Sequence, residues 1–520
     1  MKKLSFVMTA VLALLLLASC SKKQGSRLIP DNAIVVARFD LLATMEKTGM
    51  RGDDTSLKDE LEKAIKKAGL DKEVRDKVLE IIDDPTASGI DFTEPLYAYF
   101  ASNDKREPEG GLVGAMASKS DLTDLLQMVE ENSDLSVEEY DGDGVMYLLL
   151  DRTAALIYND DWFYLGTVER DGYEPDVDAT IETLLDRASG NSNIEEHKAF
   201  QVLNDRKGLM QLGFFGSGLE DLEGLDGMDD IKNMLPEEIE MKDIAAVMDL
   251  IINDGEILIE AEAVPLTDEV KEYYEKSGEM MNTITDDLAK YVPKESSFIL
   301  ADIDVKTAFK NIRKVAEASG MRDRDLQQFD EVESIVNSLT GQAVVFLDEW
   351  DGESDPAIMA YVGTKNSDLI DKLVSENMSA DTILSDGLNR YRIPVDYDYE
   401  YVEGLDDWVM TPTKFMQVGW DKNLTYFLIN TDKEAFARPQ RSFTDVKGIG
   451  MYARVSGKQL GQMVASESRN SELAEAVDDI VECIELYAET PTKGVMRLAT
   501  NKKDKSPIVI VADYVKRMLR

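Results

Sequence analysis

The sequence predicts an α+β protein made of two tandem, duplicated halves, each a largely antiparallel sheet packed by helices. Three observations predict it. Segments of helical period are mixed with segments of alternating period, and tight hairpins rather than long crossovers join the strands. Similar segments recur in the same order: "IVVARFDL" from Ile34 and "FILADIDV" from Phe298, "TEPLYAYF" from Thr93 and "TGQAVVFL" from Thr340, "SDLTDLL" from Ser120 and "SDLIDKL" from Ser367. Finally, hydrophobic residues make up 43% of the 520 residues and aromatic residues 8%, enough to bury a sizeable core.

The repeat is sparse but collinear. "LIYNDDWFYLGT" from Leu156 pairs with "VGWDKNLTYFLINT" from Val418, and "KGLMQLGFFGSGL" from Lys207 with "KGIGMYARVSGKQL" from Lys447. The separations along the chain run 264, 247, 262 and 240. Chance matches have no reason to keep nearly constant spacing, so the pattern reads as a duplication.

The first residues point to export. "MKK" is a positive n-region, and Leu4 to Leu17 form an apolar run of signal-peptide length. It ends in "LASC", where Leu17, Ala18 and Ser19 before Cys20 resemble a bacterial lipobox. Residues 1–19 are therefore expected to be a lipoprotein signal, Cys20 to be the lipidated mature N-terminus, and residues 20–29 a short tether. Ser21 is not the aspartate that retains lipoproteins in the inner membrane of enteric-type bacteria, and "SKKQGS" lacks an early acidic cluster. An outer-membrane anchor facing the periplasm is the expected placement.

The first α+β repeat is expected over residues 30–266. A buried strand, Ala33 to Asp40, leads into amphipathic helices such as "SLKDELEKAIKKAGL" from Ser56, followed by a strand pair. The repeated heptad is a helix start: Ser120 and Ser367 are expected to cap free amides, while Asp121, Asp124, Asp368 and Asp371 meet the positive end of the helix dipole. Leu122, Leu125, Leu126 and Val129 then form one buried stripe. "NDG" at Asn253 to Gly255 marks a hairpin.

Residues 267–291 read as a linking helix, and residues 292–520 as the second repeat. Its clearest strand is "RYRIPVDYDYEYV", where Tyr391, Ile393, Val395, Tyr397, Tyr399 and Tyr401 occupy alternate positions. Cys483 lies in "ELAEAVDDIVECIELYAE", whose Leu473, Val477, Ile480, Val481 and Ile484 read as one apolar helix face, so this thiol is expected to be a packed structural cysteine.

Lipobox, polar tether, the proline-led strand "IPDNAIVVARFDL" and its mid-chain repeat, within acidic α+β halves, resemble the Bacteroidota lipoproteins grouped as domain of unknown function 4836. The resemblance extends over nearly the whole mature chain and implies no catalytic or binding residues.

Charge excludes several functions. The balance is 57 − 102 = −45, or 55 − 102 = −47 once Lys2 and Lys3 leave with the signal. Phosphate backbones and anionic lipid headgroups should repel such a chain, so no nucleic acid is expected as a partner. No phosphate-cradling glycine loop is present, so no nucleotide is expected either. His197 is the sole histidine, which rules out multi-histidine metal sites, and its place in "NIEEHKAF" reads as a helix surface. "YDGDGVMYLLLD" from Tyr140 has aspartates at alternate positions, but Val145 occupies a ligand position of a calcium loop, and a hairpin turn fits better.

No catalytic, cofactor-binding or metal residue is assigned; whether the chain is an enzyme stays open, and the reading leans against it. The expectation is a non-catalytic binding or scaffold protein of the cell envelope. It would be held at the membrane by its N-terminal lipid and would engage an envelope protein or ligand. The alternative is a carboxylate-dependent hydrolase acting on envelope or imported glycans, with Tyr397, Trp408 and Trp420 stacking on sugar rings. A platform needs an exposed apolar or aromatic patch; a glycosidase needs two carboxyls about 5 to 9.5 Å apart.

Overall fold

The computed structural model describes residues 25–518 except 52–55, 69–71, 104–106, 131–134, 141–143, 223–238, 319–331, 349–354, 378–383, 386–388, 403–406, 432–437 and 469–470. Cys20 and its lipobox lie outside the described residues. The chain divides into two compact units, residues 1–271 with 503–520, and residues 272–502. Residues 503–520, which the sequence places with the second half, cluster with the first unit. There the Gly255 amide donates to the Lys505 carbonyl at 2.9 Å.

In the first unit the strands are β1 (Val35–Phe39), β2 (Leu96–Ser102), β3 (Pro108–Ala115), β4 (Val137–Tyr140), β5 (Val145–Leu149), β6 (Ala154–Tyr158) and β7 (Trp162–Thr167), the short pair β8 (Glu169–Asp171) and β9 (Glu174–Asp176), then β10 (Met210–Phe215), β11 (Ile244–Asn253) and β12 (Glu256–Pro265). Pairing is antiparallel throughout. Across the main sheet the order is β12, β11, β10, β1, β2, β3, β7, β6, β5, β4.

Alternation sends residues to opposite faces of this sheet. Val36, Tyr97, Tyr99, Val113, Ile157 and Tyr164 point to one face, where the helices Val177–Ala188 and Lys198–Asp205 contribute Ile181, Leu184, Phe200 and Leu203 to a buried core. The opposite face carries Leu96, Leu148, Leu156, Tyr158 and Phe163. Met45, Val78, Ile81 and the stripe Leu122, Leu125, Leu126 of the helix Lys119–Glu130 cover it.

In the second unit the strands are β13 (Phe298–Asp302), β14 (Leu339–Leu347), β15 (Ile358–Thr364), β16 (Leu384–Ser385), β17 (Arg390–Val402), β18 (Asp407–Asp421), β19 (Leu424–Ile429), β20 (Ile449–Ser456), β21 (Val481–Thr490) and β22 (Lys493–Thr500). The order across this sheet is β22, β21, β20, β13, β14, β15, β19, β18, β17, β16, again antiparallel. Numbered along the chain within each main sheet, with the separate pair β8 and β9 set aside, the two orders match strand for strand. Phe298, Leu300, Val344, Phe346, Tyr361, Tyr426 and Tyr452 form the inner face, packed under Ile284, Leu288, Val292 and Phe443.

Several local expectations need correction. The helix Ser471–Ile480 stops before Cys483, which lies on β21. Val481 and Ile484 are β-branched, and Cys483 and Glu485 alternate into the buried face, so the strand period wins over the helical one. At the first heptad the cap is Ser118, whose Oγ accepts the Asp121 amide at 3.2 Å, rather than Ser120. Ser367 instead donates its hydroxyl to Asp371 at 2.9 Å, and the Asp368 amide is taken by Asn366 Oδ1 at 3.2 Å.

Within 267–291 the α-helix covers only Asp268–Gly278. At Gly278 the ring of Pro491 sits where a Cβ would be, and Met281 and Thr283 then form isolated bridges to Ile303 and Ile449. At "NDG" the hairpin is as expected, with Gly255 alone at positive φ, +80°. Among the described residues no helix is long and apolar enough to cross a membrane.

Candidate functional site

Two kinds of surface could act: open faces of the sheets, and polar clefts. On the face of the first unit that carries Leu96, Leu156 and Phe163, the buried cluster under the covering helices includes no buried residue of β1, β10, β11 or β12. There Phe100, Val35, Phe214 and Ala246 stand in register across neighbouring strands, with Met248 opposite Leu212 one row along. Phe100, Phe214 and Met248 are exposed.

In the second unit one cross-strand row runs Val345, Ile299, Ala453, Leu486, Met496, from β14 through β13, β20 and β21 to β22. Ile299 is 53% and Leu486 46% exposed, and Met451 beside them 46%. None of these side chains carries a charge or a hydrogen-bonding group, in a chain that is 31% charged. Their backbone groups are already spent on the sheet ladder, so each face offers only apolar contact.

The polar cleft lies on the inner side of the first unit. Arg187, from the helix Val177–Ala188, forms a two-pronged pair with Glu109 of β3, Nη1 to Oε1 at 2.5 Å and Nη2 to Oε2 at 3.0 Å. Tyr99 Oη donates to Glu109 Oε1 at 2.6 Å, and Arg187 Nη1 reaches the Leu28 carbonyl at 3.4 Å. Burial opposes the charge on Arg187, but the Glu109 carboxylate outweighs it and holds the guanidinium pKa above its ordinary value. Burial likewise pushes the Tyr99 phenol well up.

Cavities of about 310 and 530 Å³ flank this pair and share Asn103, Glu109, Glu169, Thr183 and Arg187. Thr183 donates to Glu169 at 2.8 Å. Glu107, Glu182 and Asp186 line one or the other, so the cleft is acidic. Of its two arginines, Arg170 and Arg187, the second is bound to Glu109.

A second buried charge group sits in the other unit. Glu485 is 3% exposed and accepts from Tyr452 Oη at 2.6 Å, Arg497 Nη1 at 3.0 Å and Lys447 Nζ at 3.1 Å. Burial raises its pKa, but the hydrogen bonds from Tyr452 and Arg497 and the Lys447 charge outweigh burial and leave it lowered. The first unit has its own buried carboxylate, Asp249, which accepts from Gln211 Nε2 at 2.8 Å and lies against Gly208.

These groups do not assemble a reaction centre. Among the described residues, the carboxyls that leave their ordinary range move down: Asp151 and Asp304 through bonds from Thr153 and Thr307, Glu272 beside Lys276, and Glu485 as above. A glycosidase general acid requires the opposite shift.

His197 is not on a helix surface. It is half-buried at the start of the helix Lys198–Asp205, where Nδ1 accepts the Ala199 amide at 3.2 Å and the ring stands edge-on to Phe215. Cys483 is 2% exposed, and burial pushes its thiol pKa up, so it is not a reactive thiolate.

Tyr397 pairs with Pro412 and Trp420 with Thr425, so along β18 Tyr397 and Trp420 are separated by about 27 Å. They do not share one sugar platform. The Trp420 indole N–H is buried without a partner, and the Trp408 side chain lies outside the described residues. Of "YDGDGVMYLLLD", residues 141–143 also lie outside. Val145 opens β5 opposite Tyr140 in a hairpin, and Lys119 Nζ binds the Gly144 carbonyl at 2.7 Å.

Sequence reading missed the Arg187–Glu109 pair, although a signal was there. Arg187 follows Leu184 by three on the stripe Ile181, Leu184, where a charged residue must find a buried partner. Glu485 was hidden by the helical reading of its strand.

An antiparallel α+β protein with two like-ordered sheets, open apolar faces and no assembled catalytic group among its described residues is the class this geometry defines. The chain belongs to the family described as a domain of unknown function, DUF4836, whose model matches residues 26–436. No curated protein matches. The structure of crystal form IV of TP0453 is similar over 46% of this chain and 81% of that one, at 12% identity; with a TM-score of 0.27 that likeness carries no argument.

Proposed function

We propose that this chain is a lipid-anchored, non-catalytic protein of the bacterial cell envelope, in which two copies of one ancestral folding unit present apolar sheet faces to a protein partner. The observation that carries this reading is the makeup of those faces. Phe100, Phe214 and Met248 in one unit, and Ile299, Met451 and Leu486 in the other, stand exposed in rows without a charge. Open apolar surface of this extent marks an interaction site in a water-soluble domain.

Duplication is supported by the matched strand orders of the two units. The lipobox ending at Cys20 and the tether after it support an outer-membrane anchor facing the periplasm, as in Bacteroidota lipoproteins. The balance of −45 argues against nucleic-acid partners.

Cells fed an alkyne-tagged fatty acid should yield labelled protein, and Cys20→Ala should abolish the label and release the chain from the membrane fraction. Photo-crosslinkers at Phe214 and Leu486 should capture a protein, while one at Tyr173 should not. Sugar release from purified envelope glycans would establish the hydrolase reading instead.

A further inference from the structure

We infer that the open face of the second unit's sheet docks a second copy of this chain, face to face. The inference rests on the docking reading above and names the partner. A sheet with one buried face and one bare apolar face is half of a two-layer core, and the stacking that completes it places two such faces about 10 Å apart.

Extent decides between a crystal-like touch and a specific interface. The row Val345, Ile299, Ala453, Leu486, Met496 crosses five strands, which at about 4.8 Å apiece span about 24 Å. Rows lie about 6.8 Å apart along the strands; with Ala343, Ala301 and Met451 flanking on one side and Val455, Ile484 and Leu498 on the other, three rows make a patch of about 500 Å² on each copy. Two copies would bury about 1,000 Å², the lower bound for a specific complex.

Composition then selects the partner. Interfaces typically carry about one hydrogen bond per 100 to 200 Å², and this row supplies no side chain to make one. Interfaces between identical subunits tolerate a purely apolar centre. A two-fold axis through the row sets Ile299 and Leu486 of one copy against the same face of the other, which is self-complementary because every side chain in it is aliphatic or a methionine. The acidic surface opposes approach, but no side chain of the row is charged, and charges around it are screened within about 8 Å at physiological salt.

The test is sedimentation equilibrium of the full-length chain in density-matched detergent, from about 1 to about 100 µM. A mass that climbs to that of a dimer is expected. Ile299→Lys combined with Leu486→Lys should weaken self-association at least about 100-fold, with circular dichroism and melting midpoint unchanged, because both positions are already half exposed. Met451→Glu with Val345→Glu provides a second pair should the first misfold. Tyr173→Lys, on the first unit and 92% exposed, should leave the dimer intact.

A wild-type chain that stays monomeric throughout the range overturns the inference, as does a folded double variant that dimerises like wild type. In the monomeric case, crosslinking of a different protein from Leu486 would leave the docking reading standing while removing the second copy.

Discussion

His197 shows how one side chain ties this fold to pH. Its Nδ1 accepts the Ala199 amide at the start of the helix Lys198–Asp205, a contact only the neutral ring can make, and its edge packs on Phe215. Burial holds its pKa below the ordinary 6.5. The folded chain therefore takes up a proton less readily than the unfolded chain. The contribution is whole above pH 6.5 and is lost as pH falls from there through the lowered folded value. A helix cap is worth about 1 kcal/mol, and losing it should move the melting midpoint by about 2 °C in a chain this long. His197→Asn keeps a capping oxygen without the titration. Between pH 7.5 and about 5.5, wild type should lose that much more than the variant in scanning calorimetry; parallel curves would show that the ring's proton does not matter. The same scale explains why the Arg187–Glu109 pair is structural. Both charges are satisfied by each other and by Tyr99, so neither is offered to a ligand.

Among elements, the turn that seats the helix Lys119–Glu130 is tightly constrained. Gly89 ends the short 3-10 turn Pro85–Ser88 at φ +86°, and its carbonyl accepts the Ala117 and Ser118 amides, each at 2.9 Å. A Cβ there would stand 2.4 Å from the Ser118 carbonyl oxygen and 2.5 Å from the Leu122 amide nitrogen. Gly89→Ala thus meets both the left-handed backbone penalty, about 1 to 2 kcal/mol, and a clash with backbone. Gly190→Ala, at φ +108° with nothing within 4 Å, meets only the first. Denaturant unfolding should show Gly89→Ala more destabilised than Gly190→Ala by at least about 1 kcal/mol; equal losses would mean the turn yields freely.

Elements were also where sequence pattern proved most and least informative. Leu122, Leu125, Leu126 and Val129 are all buried as their spacing predicts. The cap two residues upstream was missed because Ser118 and Ser120 are chemically alike and only backbone geometry separates them. Val477, Ile480, Val481 and Ile484 keep helical spacing across the boundary, so the switch from helix to strand before Cys483 could not be read from spacing alone. The open faces were not legible at all, because Ile299, Ala453 and Leu486 become neighbours only through pairing of strands far apart in the chain.

For the whole molecule, charge is the term that sequence alone determines. With 102 acidic and 57 basic residues the folded chain holds 45 uncompensated negative charges, and unfolding relieves their repulsion. Attraction works the other way: Lys66 with Glu62, Lys276 with Glu272 and Lys414 with Asp355 are surface pairs. Such exposed pairs contribute little, and salt screens them as it screens the repulsion. The excess of like charges should decide the balance. Raising sodium chloride from about 0.02 to about 0.5 M shortens the screening length from about 20 to about 4 Å, removing long-range repulsion first while contact pairs a few ångströms apart lose less. The melting midpoint should therefore rise across that range. A midpoint that falls would mean that paired charges, not the net balance of −45, dominate the electrostatics of the folded chain.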